Sequence, residues 1–233
     1  MNDVLGQALF DYYHHRSRSK LFIHNQYGEK EIMPIAAFFK EEDDMPDIEW
    51  LALERCEGKV LDIGAGAGSH ALILQEKGIE VFAMDISPLA VEVMRARNVA
   101  NIIEADIFQY QQQKYDTLLL LMNGIGLAGN IEQLKTLLLH CKILLNNGGK
   151  LLFDSSDISY LYDGKSLPDD RYFGEINYQY EYKKQKTEWF QWLYVDEHTI
   201  KKIAESVGFE TEVLLEDEFG QYLAQLTIAN NNS

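Results

Sequence analysis

A glycine-rich turn directly after a short apolar run constrains this chain more than any other feature of its sequence. Val60 and Leu61 precede Asp62-Ile63-Gly64-Ala65-Gly66-Ala67-Gly68. Glycine adopts positive φ at little cost and lacks a β-carbon, so glycines at alternate positions let the backbone approach a ligand closely. The stretch therefore predicts a strand that runs into a cofactor-binding turn, and a nucleotide is the usual ligand of such a turn.

The carboxylate of Asp62 narrows the choice of ligand. The dinucleotide fingerprint G-x-G-x-x-G places a pyrophosphate against backbone N–H groups at a helix N-terminus. Here the spacing is G-x-G-x-G, with an acid two residues before the first glycine. Two like charges about 4 Å apart cost roughly 4 kcal/mol at an effective dielectric of about 20. The turn therefore favours a ligand that carries positive charge.

Composition restricts the partners and the compartment. The formal net charge of −16 opposes phosphate backbones, so a nucleic-acid partner is not expected. Cys56 and Cys141 form no C-x-x-C pair and lie in apolar helical contexts, which is typical of reduced core residues. The chain opens with no basic leader, and no segment approaches 18 uninterrupted apolar residues. We therefore expect a cytoplasmic protein that does not enter a membrane.

The chain divides into a short first segment and one larger domain. Residues 1–45 are expected to form an N-terminal cap segment, because apolar residues from Val4 to Tyr13 recur at about four-residue spacing and predict a helix. A strand pair is expected around Tyr27-Gly28. The acidic run at 41–44 is interpreted as a connection, and residues 46–233 as the main domain, with a β-hairpin inserted at about 158–195.

Strands and helices alternate between about residues 58 and 155, which predicts a doubly wound, mainly parallel sheet. Gly78 ends a helix that begins near Ser69, and Ser87-Pro88 supply an N-cap and a proline at the first helical position. Another helix is predicted from Ile131 to Leu145, ended by residues 146–149. The predicted strands are 59–63, 79–84, 101–104, 117–122 and 150–153.

The last part of the chain has an antiparallel pattern. Apolar and aromatic residues alternate from Ile176 to Tyr182 and are followed by a lysine-rich turn, so these residues and 189–195 predict the hairpin. A helix is expected at about 196–207. The closing strands are predicted at 212–215 and 222–228.

Polar residues stand where the predicted parallel strands end. In a doubly wound sheet, ligands bind outside the carboxyl ends of the strands. Asp85, which is 21 residues after Gly64, could accept both ribose hydroxyls of an adenosine, and Asp106 could receive an exocyclic amine. Simpler interpretations stay open, because Asp106 could be a helix cap and Asn123-Gly124 only a turn.

Over about residues 47–229 the chain resembles the class I S-adenosylmethionine-dependent methyltransferases. The segments that carry the resemblance are VLDIGAGAG, MDIS, EADIF, YDTLLLLMNG and NNGGKLLFD. The resemblance implies an α/β, Rossmann-like fold with a seven-stranded, mainly parallel sheet whose last strand is antiparallel. The implied cofactor, S-adenosylmethionine, carries a sulfonium and an ammonium and no phosphate, which agrees with the charge argument.

The resemblance also implies roles for individual residues. Asp62 and the loop of Gly64, Ala65, Gly66 and Gly68 would hold the methionine portion, and Asn123 would line the methionine end. Asp85 would bind the ribose. Ile86 would pack on the adenine, and Asp106 and Ile107 would contact the adenine ring. Met122 to Ile125 replace the NPPY-type segment that relatives use for amide and exocyclic amine targets, which argues against such acceptors. No metal is predicted, because Asn123 stands where a carboxylate ligand would be needed.

Other functions compete with this interpretation. An NAD(P)-dependent dehydrogenase would use Y-x-x-x-K, which Tyr180 and Lys184 match, but that pair works on a helix and this segment alternates like a strand. An RNA-modifying enzyme could use the hairpin's aromatic residues and lysines. A cofactor-binding protein without catalytic activity is a further alternative.

A small-molecule methyl acceptor with apolar and aromatic character is the leading hypothesis. The segments expected to reach the acceptor are the N-terminal helix, the loop 124–130 and the aromatic hairpin. His14 or His15 could act as a general base, and Asp154 or Asp157 could contact an acceptor amine. No catalytic residue and no oligomeric state is assigned.

Overall fold

Residues 3–164 and 166–229 are described by this computed structural model. The helices are α1 (Val4–Tyr13), α2 (Asp47–Glu54), α3 (Ser69–Glu76), α4 (Pro88–Ala96), α5 (Ile131–Leu144) and α6 (Glu197–Ser206). The strands are β1 (Leu21–Asn25), β2 (Glu31–Met33), β3 (Lys59–Ile63), β4 (Glu80–Asp85), β5 (Ile102–Glu104), β6 (Tyr115–Leu120), β7 (Leu145–Ser156), β8 (Glu175–Tyr182), β9 (Gln185–Lys186), β10 (Phe190–Leu193), β11 (Phe209–Glu216) and β12 (Gln221–Ile228).

The larger sheet has seven described strands in the order β11-β12-β7-β6-β3-β4-β5. Neighbours β4 and β5 are parallel, as are β6 and β7, whereas β12 is antiparallel to both β7 and β11. The order along the sheet reverses at β3, and this is the point at which doubly wound sheets bind ligands. The predicted fold class is confirmed.

Local signals in the sequence explain where the helices begin. The Ser87 hydroxyl accepts the Ala90 N–H at 3.0 Å and caps α4, which begins at Pro88. The Asp196 carboxylate accepts the Thr199 N–H at 3.0 Å and caps α6. The central parallel strands do not alternate between apolar and polar residues, because both of their faces are covered. Residues 118–120 of β6, for example, are all apolar and buried.

The structure corrects several predicted boundaries, including the start of β11, which lies at Phe209 rather than at 212. Strand β7 begins at Leu145, five residues before the predicted start, so residues 146–149 open a strand where a helix stop was expected. Their glycines allow this irregular start, since Gly148 has φ of +77° and the pairing with β6 shifts register between Tyr115 and Thr117. Strand β6 ends at Leu120 rather than at 122, and the chain then turns sharply.

A second sheet joins segments that are far apart in sequence. Its order is β10-β8-β1-β2, and β9 pairs with β8. Both predicted strand pairs therefore exist, but Phe22 lies opposite Glu181 and Ile23 opposite Tyr180, which unites them. The turn between β8 and β9 consists of Lys183 and Lys184, both with positive φ, as a two-residue hairpin turn requires.

The described residues fall into two compact units. The first comprises residues of the ranges 1–45, 61–110 and 177–190, and the second those of 46–60, 111–176 and 191–233. In the first unit, Leu9 of α1 packs with Ala67, Ala90 and Val93, so the N-terminal helix shares a core with the glycine turn and α4. No described helix combines the length and the hydrophobicity that a membrane crossing demands.

Candidate cofactor site

The glycine turn is hydrogen-bonded to β4. The N–H groups of Gly64 and Ala65 both donate to the Met84 carbonyl oxygen at 2.9 Å. Gly68, with φ of +80°, starts α3, and a β-carbon there would lie 2.8 Å from Val99 Cγ2. Glycine at 68 therefore serves a left-handed backbone and close packing at once.

Asp85 binds the turn directly. Its Oδ2 accepts the Gly66 N–H at 2.8 Å, and its Oδ1 accepts the Ser87 N–H at 2.8 Å. Burial raises the pKa of Asp85 above its ordinary value; the two hydrogen bonds lower it, and the charge of Asp3 raises it further. The carboxylate therefore fixes the turn, and each of its oxygens still has lone-pair capacity for another donor.

Asp62 lies at the buried base of the same turn. It is 2% exposed, and its Oδ2 has no hydrogen-bond partner among the described residues. Burial raises the pKa of Asp62 to about 6; the charge of His70 lowers it, and that of Asp85 raises it. A buried carboxylate oxygen without a hydrogen-bond partner is costly, so this position fits a ligand that brings an ammonium group.

The residues predicted to contact the adenine differ in accessibility. Ile86, next to Asp85, is 61% exposed, which leaves an apolar surface for a planar ring. Ile107 is buried. Asp106 caps the short turn 107–109 by accepting the Phe108 N–H at 3.0 Å, so the simpler interpretation of this residue holds alongside any contact with a ligand.

The N-terminal segment contributes contacts that sequence reasoning missed. Asp3 caps α1 and its Oδ2 accepts the Ser87 hydroxyl at 2.7 Å, so it reaches the turn that follows Asp85. The Ser69 hydroxyl donates to the Phe38 carbonyl oxygen at 3.0 Å, and the Phe38 ring is 3.5 Å from where a β-carbon on Gly66 would lie. An aspartate three residues before a glycine gave only a weak capping signal in the sequence.

Asn123 belongs to the second unit, whereas the other predicted residues belong to the first. Met122 and Asn123 have φ of +58° and +54°, an uncommon left-handed pair. The Asn123 N–H donates to both oxygens of Asp154, at 2.9 and 3.0 Å. Burial raises the pKa of Asp154 to about 6, while the Asn123 N–H and Gln221 lower it. Asp154 therefore contacts Asn123 rather than standing open to an acceptor.

The remaining candidates are scattered. His14 packs against Phe10 with ring centroids 4.4 Å apart, and His15 has positive φ after the end of α1. Within 3–164 and 166–229, no three His, Cys, Asp or Glu side chains are arranged to hold a metal ion.

The first unit contains nine of the ten residues predicted to bind the cofactor, which are Asp62, Gly64, Ala65, Gly66, Gly68, Asp85, Ile86, Asp106 and Ile107.

Comparisons with known proteins agree with this geometry. A family model described as a methyltransferase domain matches residues 29–214. A crystal structure of an S-adenosylmethionine-dependent methyltransferase from Bacteroides fragilis, in complex with S-adenosyl-L-homocysteine, is 38% identical. The match covers 97% of this chain and 95% of that chain, with a TM-score of 0.89. No curated protein matches the chain.

More distant structures share the fold. The CcbJ methyltransferase from Streptomyces caelestis is 14% identical over 79% of this chain and 90% of that chain, with a TM-score of 0.64. The sugar N-methyltransferase KedS8 from Streptoalloteichus sp. is 15% identical over 87% of this chain and 95% of that chain, with a TM-score of 0.56.

The fold and the turn define a nucleoside-binding α/β enzyme. The chain belongs to the class I S-adenosylmethionine-dependent methyltransferases, and its cofactor is S-adenosylmethionine.

Proposed function

We propose that this methyltransferase acts on a small molecule with an apolar, aromatic portion, and that Asp62 and Asp85 are its main cofactor ligands. The observation that carries the cofactor assignment is the buried Oδ2 of Asp62, which has no partner among the described residues. It would receive the ammonium group of the methionine portion. Asp85 would accept the ribose hydroxyls while it holds the Gly66 N–H.

The other residues complete this binding mode. Gly64, Ala65, Gly66 and Gly68 would let the backbone approach the methionine portion, Ile86 would cover one face of the adenine, and Asp106 and Ile107 would border the ring. When bound, S-adenosylmethionine supplies an electrophilic methyl group whose departure leaves a neutral sulfide. The protein then contributes mainly by holding donor and acceptor in line.

The aromatic hairpin supports the acceptor class. Ring centroids of Tyr180 and Phe190 lie 5.1 Å apart, and those of Tyr178 and Phe190 lie 6.4 Å apart. Such half-buried rings offer apolar surface and stacking to a flat or apolar molecule. Neighbours that share only the fold include a sugar N-methyltransferase and a magnesium protoporphyrin IX methyltransferase, both of which are named for small acceptors.

The contacts of the lysines disfavour RNA as the acceptor. Lys183 Nζ lies 2.6 Å from Asp11 Oδ2, and Lys186 Nζ lies 3.8 Å from Glu181 Oε2. Lysines that face carboxylates within the protein contribute little to a phosphate-binding surface.

The dehydrogenase alternative also fails on geometry, because Tyr180 lies in β8 and Lys184 in a hairpin turn instead of on one helix face.

We also propose that residues 1–45 act as a cap segment to the domain 46–233, with the hairpin inserted at about 158–195. The position of the aromatic strands in the sheet that also contains β1 and β2 supports a joint role for cap and hairpin.

Two measurements test the proposal separately. Calorimetry should show binding of S-adenosylhomocysteine and none of NADH, and Asp85→Asn should weaken that binding at least about tenfold, or roughly 1.4 kcal/mol. Asp43→Asn, an exposed aspartate outside the site, is the matched control. Unchanged affinity in the Asp85 variant would remove this residue from the cofactor site.

The acceptor is tested with radiolabelled S-adenosylmethionine and fractionated cell extract. We expect label in the small-molecule fraction, and we expect Phe190→Ala to lose transfer while it keeps S-adenosylhomocysteine affinity. Label that enters RNA or protein instead would overturn the acceptor class and leave the cofactor assignment intact.

A further inference from the structure

The side chain of Asn123 is engaged within the protein on both sides of its amide. Its Nδ2 donates to the Leu193 carbonyl oxygen at 3.1 Å, and its Oδ1 accepts the Ser155 hydroxyl at 3.0 Å. The Ser155 oxygen in turn accepts the Val195 N–H at 3.0 Å. These bonds close a ring through residues 193–195, the last residue of the aromatic strand β10 and the two residues that follow it.

Burial makes this ring energetically important. Leu193, Val195 and Ser155 are all fully buried. A buried backbone carbonyl or N–H without a partner costs about 1–3 kcal/mol, and here the side chains of Asn123 and Ser155 satisfy both groups. Asparagine suits the position because it tolerates the left-handed backbone and offers a donor and an acceptor together. An aspartate could not donate to Leu193.

Two further contacts fix the same segment. Asp154 binds the Asn123 N–H with both carboxylate oxygens and receives the Gln221 side-chain amide at 3.1 Å, so the sharp turn after β6 is held from β7 and β12. A methyl group on Gly126 would collide with the indole of Trp192, so the loop 124–128 packs closely under that ring. The ring of hydrogen bonds thus connects Asn123, three residues after the end of β6, to residues 193–195 at the end of the aromatic strand β10.

We propose that Asn123, Ser155 and Asp154 form a positioning cluster that sets the place of residues 192–195 for the acceptor, and that Asn123 serves this cluster rather than the cofactor. The link to the acceptor rests on the proposed function, whereas the cluster itself does not. Asn123 is therefore a positioning residue whose loss changes acceptor use and leaves cofactor binding in place.

The test uses the full chain and Asn123→Gly, because glycine keeps the left-handed backbone and removes only the amide. Ser155→Ala is the second variant. Asn101→Ala is the matched control, since Asn101 Nδ2 donates to the Val81 carbonyl oxygen at 3.0 Å elsewhere in the protein. The exchange rate of the Val195 amide is measured by hydrogen exchange, and the affinity for S-adenosylhomocysteine is measured by calorimetry.

We expect Asn123→Gly and Ser155→Ala each to speed exchange at Val195 at least about tenfold, with S-adenosylhomocysteine affinity within about threefold of wild type. The control should leave exchange at Val195 unchanged. A tenfold loss of S-adenosylhomocysteine affinity in Asn123→Gly, or unchanged exchange at Val195, would overturn the proposal.

Kinetics separate the positioning role from a structural one. With an acceptor found by the labelling experiment, Asn123→Gly should raise the acceptor KM or lower kcat at least about tenfold, with the S-adenosylmethionine KM unchanged. If a variant exchanges faster at the Val195 amide but keeps wild-type kinetics, the cluster has a structural role and no positioning role. The exchange and affinity measurements need no acceptor, so failure of the proposed acceptor class is seen independently of failure of the cluster.

Discussion

Asp62→Asn is the substitution that tests the charge argument most directly. The carboxylate is buried, one of its oxygens has no partner among the described residues, and its pKa is raised to about 6 because burial disfavours its charge. The cofactor-free protein at neutral pH therefore holds a buried charge that opposes folding. Asparagine has nearly the same shape and cannot ionise, so it removes that cost.

The magnitude follows from linkage between protonation and folding. One pKa unit corresponds to about 1.4 kcal/mol, so a folded pKa of about 6 against an ordinary value of 3.8 corresponds to about 3 kcal/mol at pH 7.5. Between pH 4 and 6 the folded protein keeps a proton that the unfolded chain has released, so wild-type stability falls as the pH rises. Above about pH 7 the cost is constant.

The assay is denaturant unfolding of the cofactor-free protein at pH 4.5 and 7.5. The free energy of unfolding of Asp62→Asn minus that of wild type should increase by about 2 kcal/mol between these two pH values. The difference is independent of what the new amide gains or loses at fixed pH. Asp43→Asn, at an exposed site, should show no comparable trend.

The same variant has the opposite effect on binding. At pH 7.5 Asp62→Asn should bind S-adenosylhomocysteine at least about tenfold more weakly than wild type, and the deficit should shrink at pH 5, where Asp62 itself is largely protonated. Parallel stability curves for the two proteins, or equal affinity at pH 7.5, would refute the reasoning.

Three further substitutions test packing in the first unit and a buried hydrogen bond in the second. Leu9→Ala should cost about 3 kcal/mol of unfolding free energy, because Leu9 of α1 is 1% exposed and packs in the core of the first unit; a loss below about 1 kcal/mol would mean that α1 is only loosely attached. Gly68→Ala should cost at least about 2 kcal/mol in the same assay, since φ is +80° and Val99 leaves no room. Tyr222→Phe should cost about 1–2 kcal/mol by thermal unfolding, because the hydroxyl donates to the Val195 carbonyl oxygen at 2.6 Å in a buried site.

The sequence predicted the glycine turn and the helix ends near it well, because the signals for these features are local. The glycine spacing, the serine and proline at the start of α4 and the glycine after α3 each determine the conformation of their own few residues. Their positions at strand ends then follow from the general rule for doubly wound sheets. The seven-stranded sheet confirms the predicted fold, and the family comparison confirms the predicted family, while the residues assigned to the cofactor stay a prediction.

Long-range pairing could not be derived in the same way. Nothing in the sequence near Phe22 indicates that it lies opposite Glu181, because a strand's alternation records which face is buried and not which partner it has. The early start of β7 was missed for a related reason. Two asparagines and two glycines usually end an element, yet here they lie between two pairs of the ladder with β6, Tyr115–Leu145 and Thr117–Lys150.

The hydrogen bonds of the glycine turn agree with the proposal that this turn binds a ligand with positive charge. In a pyrophosphate-binding turn, N–H groups at the helix start face the phosphate oxygens. In this protein the N–H of Gly66 is already donated to the Asp85 carboxylate, and those of Gly64 and Ala65 are donated to the Met84 carbonyl oxygen. The protein's own oxygens thus take three N–H donors of the turn, while the buried carboxylate of Asp62 opposes an anionic ligand. In the proposed binding mode the glycines allow close approach of the backbone, and the ligand brings hydrogen-bond donors and positive charge.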